Sequence, residues 1–126
     1  MDIEKIIEDI QNFTEYEDNW DSYDARPLNK DFAKKCISII KQLDWSRCPL
    51  GYVVPFCDGF QLEWHLDSYY EITFTFYEED DQNYKPRISM IVFKDHKVVS
   101  HDNSDLDSAK PEQIQVFIDS IDCTGR

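Results

Sequence analysis

Phe60-Gln61-Leu62-Glu63-Trp64-His65-Leu66 decides the fold, because its apolar residues recur at every second position with Gln61, Glu63 and His65 between them. A period of two belongs to a β-strand with one face turned to a core and the other to water. Asp58-Gly59 supplies a turn signal just before it, and Tyr52-Val53-Val54-Pro55-Phe56 precedes the turn, so the two runs read as a hairpin. Downstream, Tyr70, Ile72, Phe74 and Phe76 alternate with Glu71, Thr73, Thr75 and Tyr77, a third strand with two unlike faces. Arg87 to Lys94 and Lys97 to Ser100 supply a fourth and a fifth, separated by Asp95-His96. Strands joined this closely pair antiparallel, as a meander. The stretches 78 to 86 and 101 to 110 read as long polar loops.

On both flanks of this strand region the period changes. Ile3, Ile6, Ile7, Ile10 and Phe13 form one apolar stripe on a helix over about residues 2 to 15. Phe32, Ala33, Cys36, Ile37, Ile39, Ile40 and Leu43 repeat the pattern over about 30 to 43, with Asn29 as N-cap and Pro27 discouraging helix upstream. Pro111 opens a last helix at a favourable first-turn position, with Ile114, Phe117, Ile118 and Ile121 on its buried side. The order ααβββββα specifies an α+β domain, residues 1 to 126, in which a five-stranded antiparallel meander is covered on one face by helices.

Composition narrows the partners. Twenty-six acids against thirteen bases give a formal charge of −13 and a pI near 4.4. Such a surface repels nucleic acid phosphates and anionic lipid, and attracts basic proteins, over a range of about 8 to 10 Å at cellular salt. Direct binding of nucleic acid or membrane is therefore not expected. The distribution is uneven: residues 26 to 50 carry six bases and two acids, a local +4, so the remainder carries −17. No apolar run reaches the roughly 20 residues of a membrane span, and Met1-Asp2-Ile3-Glu4 lacks the order of a signal peptide, so a cytoplasmic location is expected. Cys36, Cys48, Cys57 and Cys123 form no CxxC pair, and His65, His96 and His101 add no short ligand spacing. No metal or cofactor is expected.

Three acidic stretches are the candidate partner-binding residues. Glu15, Glu17, Asp18, Asp21 and Asp24 are interleaved with Trp20 and Tyr23 between the first two helices. Trp and Tyr there either plug the gap between helices and sheet or form a binding edge whose acids select a basic partner. Glu78-Glu79-Asp80-Asp81 follows the third strand, and Asp102, Asp105 and Asp107 follow the fifth. The last group lacks the central glycine and terminal glutamate of a calcium-binding EF-hand loop. If the three stretches meet at one end of the domain, their carboxylates could occupy a basic nucleic acid channel on another protein. Gln61, Glu63 and His65 share a strand face and invite an acid–base reading. No nucleophile stands at a recognisable spacing beside them, so no catalytic residue is assigned.

Asn19-Trp20-Asp21-Ser22-Tyr23-Asp24-Ala25, then Pro27 and a helix, then Val54-Pro55 with Asp58-Gly59-Phe60-Gln61-Leu62-Glu63-Trp64-His65, resembles a family of small bacterial proteins of uncharacterised activity. Its members read Gly-Trp-Asp-Ser-Tyr-Gly-Ala early and Asp-Gly-Gly-Ile-Gln-Leu-Glu-Trp in the first hairpin. Here Asn19 and Asp24 stand where glycine is usual, and one glycine is missing after Asp58. The resemblance spans residues 19 to 76 and implies a shared fold, with no activity attached.

The expectation is a non-enzymatic, acidic protein-binding module. Its role would be that of an inhibitor, antitoxin-, immunity- or anti-defence-like, of a basic nucleic acid-handling protein in a bacterial or phage setting, by nucleic acid mimicry. The alternative is an accessory or scaffold subunit docking through an edge strand or through the Lys30, Lys34 and Lys41 face of the second helix. An enzyme of unrecognised type ranks third. The sequence leaves the oligomeric state open.

Overall fold

The computed structural model describes residues 3–17, 27–45, 51–56, 59–67, 70–78 and 86–121. Two helices come first, α1 (Ile3–Phe13) and α2 (Lys30–Gln42). Five strands follow, β1 (Tyr52–Phe56), β2 (Gly59–Asp67), β3 (Tyr70–Tyr77), β4 (Arg87–Lys94) and β5 (Lys97–Asp105), and α3 (Pro111–Asp119) closes the order. The strands form one antiparallel sheet in sequence order, the expected meander.

Local chemistry sets the ends of these elements. The Asn29 side chain accepts from the Phe32 amide at 3.0 Å, satisfying one of the orphan N–H groups that open α2. At the other end the Trp45 indole N–H donates to the Ile40 carbonyl at 3.1 Å, so a buried aromatic satisfies a buried carbonyl in the last turn of the helix. Asp95 and His96 join β4 to β5 with φ of 52° and 63°. Two consecutive left-handed residues match the right-handed twist of a two-residue hairpin. Gly59 opens β2 at φ +152°, and a Cβ there would collide with the Phe76 carbonyl oxygen on the neighbouring strand, so only glycine fits.

One expectation is corrected. β5 continues to Asp105, whereas the sequence suggested an end at Ser100 and a polar loop over 101 to 110. His101 to Asp105 pair with β4 from Ile91 back to Arg87. A backbone ladder needs no apolar side chains, and at the sheet edge these residues stay wet on both sides, so the period-two signal vanishes while the strand persists.

Alternate strand residues build the core. Phe60, Leu62, Ile72, Phe74, Phe76, Ile88, Met90 and Val92 are all buried, and they form one cluster with Ile6, Ile10, Phe32, Cys36, Ile40, Ile114, Phe117 and Ile118 of the helices. Phe32 meets Phe60 edge-on at 6.2 Å between ring centroids, and Phe74 lies 5.8 Å from both Trp45 and Phe117. All three helices therefore sit on one face of the sheet. Two polar clasps fasten the layer. The Leu28 amide donates to the Phe13 carbonyl at 3.1 Å, tying the end of α1 to the start of α2. The Gln115 carboxamide both accepts from the Asp44 amide at 2.7 Å and donates to the Asp44 carbonyl at 3.0 Å, tying α3 to the end of α2. Among the described residues no helix is long and apolar enough to cross a membrane.

Candidate protein-binding surface

The strand ends define one end of the domain. Tyr77, Arg87 and Asp105 share a register row that closes β3, opens β4 and closes β5, while Gly59 faces Tyr77 from the start of β2. Phe32 rests on Phe60 in the next row, so the N-terminal half of α2 covers this same end. That half-helix gathers acids from three distant stretches of chain. Glu15, just past α1, approaches Lys30 at 3.8 Å. Asp107, just past β5, meets Lys35 at 2.8 Å. Glu78, just past β3, lies close enough to Cys36 for its carboxylate to act on the thiol.

Cys36 shows how the site behaves electrostatically. Burial pushes its thiol far above the ordinary value, the Glu78 carboxylate pushes it further, and Lys35 opposes both. Lys35 is itself raised by its hydrogen bond to Asp107 and by that carboxylate's charge. The cysteine stays protonated and behaves as a small core hydrophobe.

The expected residues are thus brought together in part. Glu15, Glu78 and Asp107 gather around the first turns of α2, with Glu17 exposed two residues beyond Glu15 and Asp105 at the end of β5. Asp102 stands apart. It pairs in register with Met90 and accepts from the Asn103 amide at 2.8 Å, on the strand parity of the helix-covered face. Asp105 faces Arg87 on the opposite parity. A strand alternates its side chains, so Asp102 and Asp105 cannot share one surface. Asp18, Trp20, Asp21, Tyr23, Asp24, Glu79, Asp80 and Asp81 lie outside the described residues.

The two lysine pairs are what the sequence reading missed. It treated the basic stretch 26 to 50 as separate from the acids, yet α2 lies among them. Both pairs are open to water, with side-chain exposures of 71% and 72% for Lys30 and Glu15 and 55% and 59% for Lys35 and Asp107. Exposed pairs of this kind are held by a fraction of a kcal/mol, roughly 0.2 to 1, so the carboxylates stay exchangeable toward stronger cations.

The face of the sheet opposite the helices carries a different constellation. Its rows run Tyr52, Glu63, Thr73, Ile91, His101 and Val54, Gln61, Thr75, Ser89, Asn103 across the five strands. Tyr52 stacks on His65 with ring centroids 6.2 Å apart, and His65 Nδ1 lies 3.6 Å from a Glu71 carboxylate oxygen. The nearest carboxylate partner of His65 is thus across the strand gap on β3, not Glu63 on its own strand, because the pleat brings cross-strand neighbours closer than residues two apart. Thr75, buried in the middle of the face, donates to the Gln61 carboxamide oxygen at 2.7 Å. Toward the acidic end, Arg87 stands 4.6 Å over the Tyr77 ring and Phe56 meets that ring edge-on at 5.8 Å. Among the described residues no three His, Cys, Asp or Glu side chains are grouped to hold a metal.

Compared with protein-family models, curated proteins and solved structures, the chain matches none.

Proposed function

We propose that this chain is a non-enzymatic protein-binding domain that inhibits a basic, nucleic acid-handling protein by placing its acidic end where that protein would take nucleic acid. The observation that carries this reading is that Glu15 and Asp107, from different parts of the chain, each pair with a lysine in the N-terminal half of α2, while the Glu78 carboxylate acts on Cys36 of the same helix. The acids reach the same half-helix from unlike segments, and because the lysine pairs of Glu15 and Asp107 are exposed and weak, these carboxylates can be given up to a more strongly cationic partner. The further acids adjoining Glu17 and Glu78 in sequence extend the same two stretches. Of the Lys30, Lys34 and Lys41 face on which a basic α2 would dock in the alternative reading, Lys30 already faces the Glu15 carboxylate.

The test is capture of partners on the immobilised full chain from a bacterial lysate at about 50 mM and about 500 mM salt, followed by competition with a DNA duplex. The expected result is a basic protein that leaves as salt rises and that cannot hold duplex and this chain together. A captured protein that persists at high salt, or that binds duplex and chain at once, contradicts the reading.

A further inference from the structure

We infer that the sheet face opposite the helices is a second contact surface, and that its occupant is an extended segment of the basic partner whose sheet-facing side chains, every second residue, are by turns apolar and cationic. This rests on the function proposed above and names how the same partner would be held.

A strand face given over to water normally carries polar residues. Here polar stretches alternate with apolar ones, and β5 past its opening residues is polar with His101, Asn103 and Asp105. β2 and β3 present Gln61, Glu63, Glu71, Thr73 and Thr75, but β1 presents Tyr52, Val54 and Phe56, and β4 presents Ile91 and Phe93. Tyr52 and Val54 are 47% and 37% exposed, and Val98 on β5, in register with Phe93, is 52% exposed. With strands about 4.8 Å apart, two apolar strips about 14 Å apart flank a polar strip that bears carboxylates. This arrangement is unlike either a fully wet face or a core awaiting a helix.

Charge selects the occupant. Histidines apart, the acidic and basic side chains on this face are Glu63, Glu71 and Asp105 against Arg87, whose guanidinium is already stacked on Tyr77. Among the described residues of the face there is no lysine, and Glu63 meets no cation. A second copy of this chain, at −13, would be repelled, as would nucleic acid or an anionic membrane. A lysine or arginine facing the sheet supplies the missing charge over Glu63 and Glu71, and apolar side chains two residues to either side of it, on the same face of the segment, would cover Tyr52, Val54, Ile91 and Phe93. The face also joins the acidic end directly, through the row of Tyr77, Arg87 and Asp105. Long-range attraction at that end would set the rate of encounter, while the apolar strips would set how long the complex lasts.

The experiment is amide-shift mapping of the full chain by heteronuclear NMR with three synthetic probes, each with serine at every second position: one whose other positions are by turns lysine and valine, one in which they are lysine and serine, and one in which they are glutamate and valine. The expected result is that the lysine–valine peptide moves Val54, Glu63, Thr73, Ile91 and Phe93, and binds about tenfold tighter than lysine–serine. The double variant Glu63→Gln, Glu71→Gln should lose about tenfold in affinity for lysine–valine at unchanged melting temperature. Four results overturn the inference: no shift on this face, equal binding of the glutamate–valine peptide, an unchanged affinity in the double variant, or shifts at Val54 and Ile91 that depend on protein concentration without any peptide, which would make a second copy the occupant. Lysine–serine shifts at Glu15, Glu17 and Asp107 report on the acidic end separately, so loss of those alone counts against the proposed function and loss of the face shifts alone counts against this surface.

Discussion

The two faces of this sheet are made from the same strands, and they differ in almost everything else. On the helix side Phe60, Leu62, Ile72, Phe74, Phe76, Ile88, Met90 and Val92 are sealed, none of them more than 3% exposed. On the other side Gln61, Glu63, Glu71, Thr73, Ser89, Ile91 and Phe93 are half-buried. Stability is therefore concentrated on one parity of residues, and the other is left free to vary with what it must meet. A one-residue slip would exchange the two sets, so the sealed side fixes the register that the open side inherits.

Substitutions that respect this division should sort by size. Phe74→Ala removes a ring that touches Trp45 and Phe117 and should cost about 3 to 5 kcal/mol in urea unfolding. Gly59→Ala forces a Cβ into the Phe76 carbonyl at a backbone angle that alanine rarely adopts, for about 1 to 3 kcal/mol by the same measurement. Thr75→Val leaves the Gln61 carboxamide without its buried donor and should cost about 1 kcal/mol. Loss of as much stability from Glu63→Gln as from Thr75→Val would break the comparison, because among the described residues Glu63 holds no partner whose removal could matter. That substitution should stay within about 0.5 kcal/mol of the parent.

A pH effect comes from the sealed side. The Cys36 thiol is raised in the folded chain, so at alkaline pH the unfolded chain loses this proton while the folded one keeps it. Unfolding then becomes easier as pH rises past the ordinary thiol value of about 8.5, and the full contribution is present only below it. Cys36→Ala should lower stability near neutrality yet flatten the decline between about pH 8 and pH 10. Equal slopes in parent and variant would show that the thiol is not sheltered.

Much of this architecture was legible because periodicity reports burial. The stripes of α1, α2 and α3 and the alternation from Phe60 to Phe76 repeat without interruption, and the elements lie where those patterns end. β5 beyond Ser100 was illegible for the same reason: an edge strand wet on both sides has no burial period to read, and only its ladder to β4 reveals it. The site was harder. Side-chain type marked Glu15, Glu78 and Asp107 as acids, but their gathering around Lys30, Lys35 and Cys36 depends on where α2 crosses the sheet. Asp102 and Asp105 were grouped with Asp107 by spacing alone, and strand alternation separates them. The pairing of His65 with Glu71 likewise needed the register of β2 on β3, which no single strand contains.

The most direct measurement is the salt dependence of binding to the captured partner, for the parent chain and for a variant carrying Glu15→Gln, Glu17→Gln and Asp107→Asn together. The expected result is an affinity that falls steeply with salt in the parent, with a weaker affinity and a shallower slope in the variant, at unchanged partner identity. Superimposable slopes and affinities would contradict the claim that the acids gathered at this end are what the partner recognises.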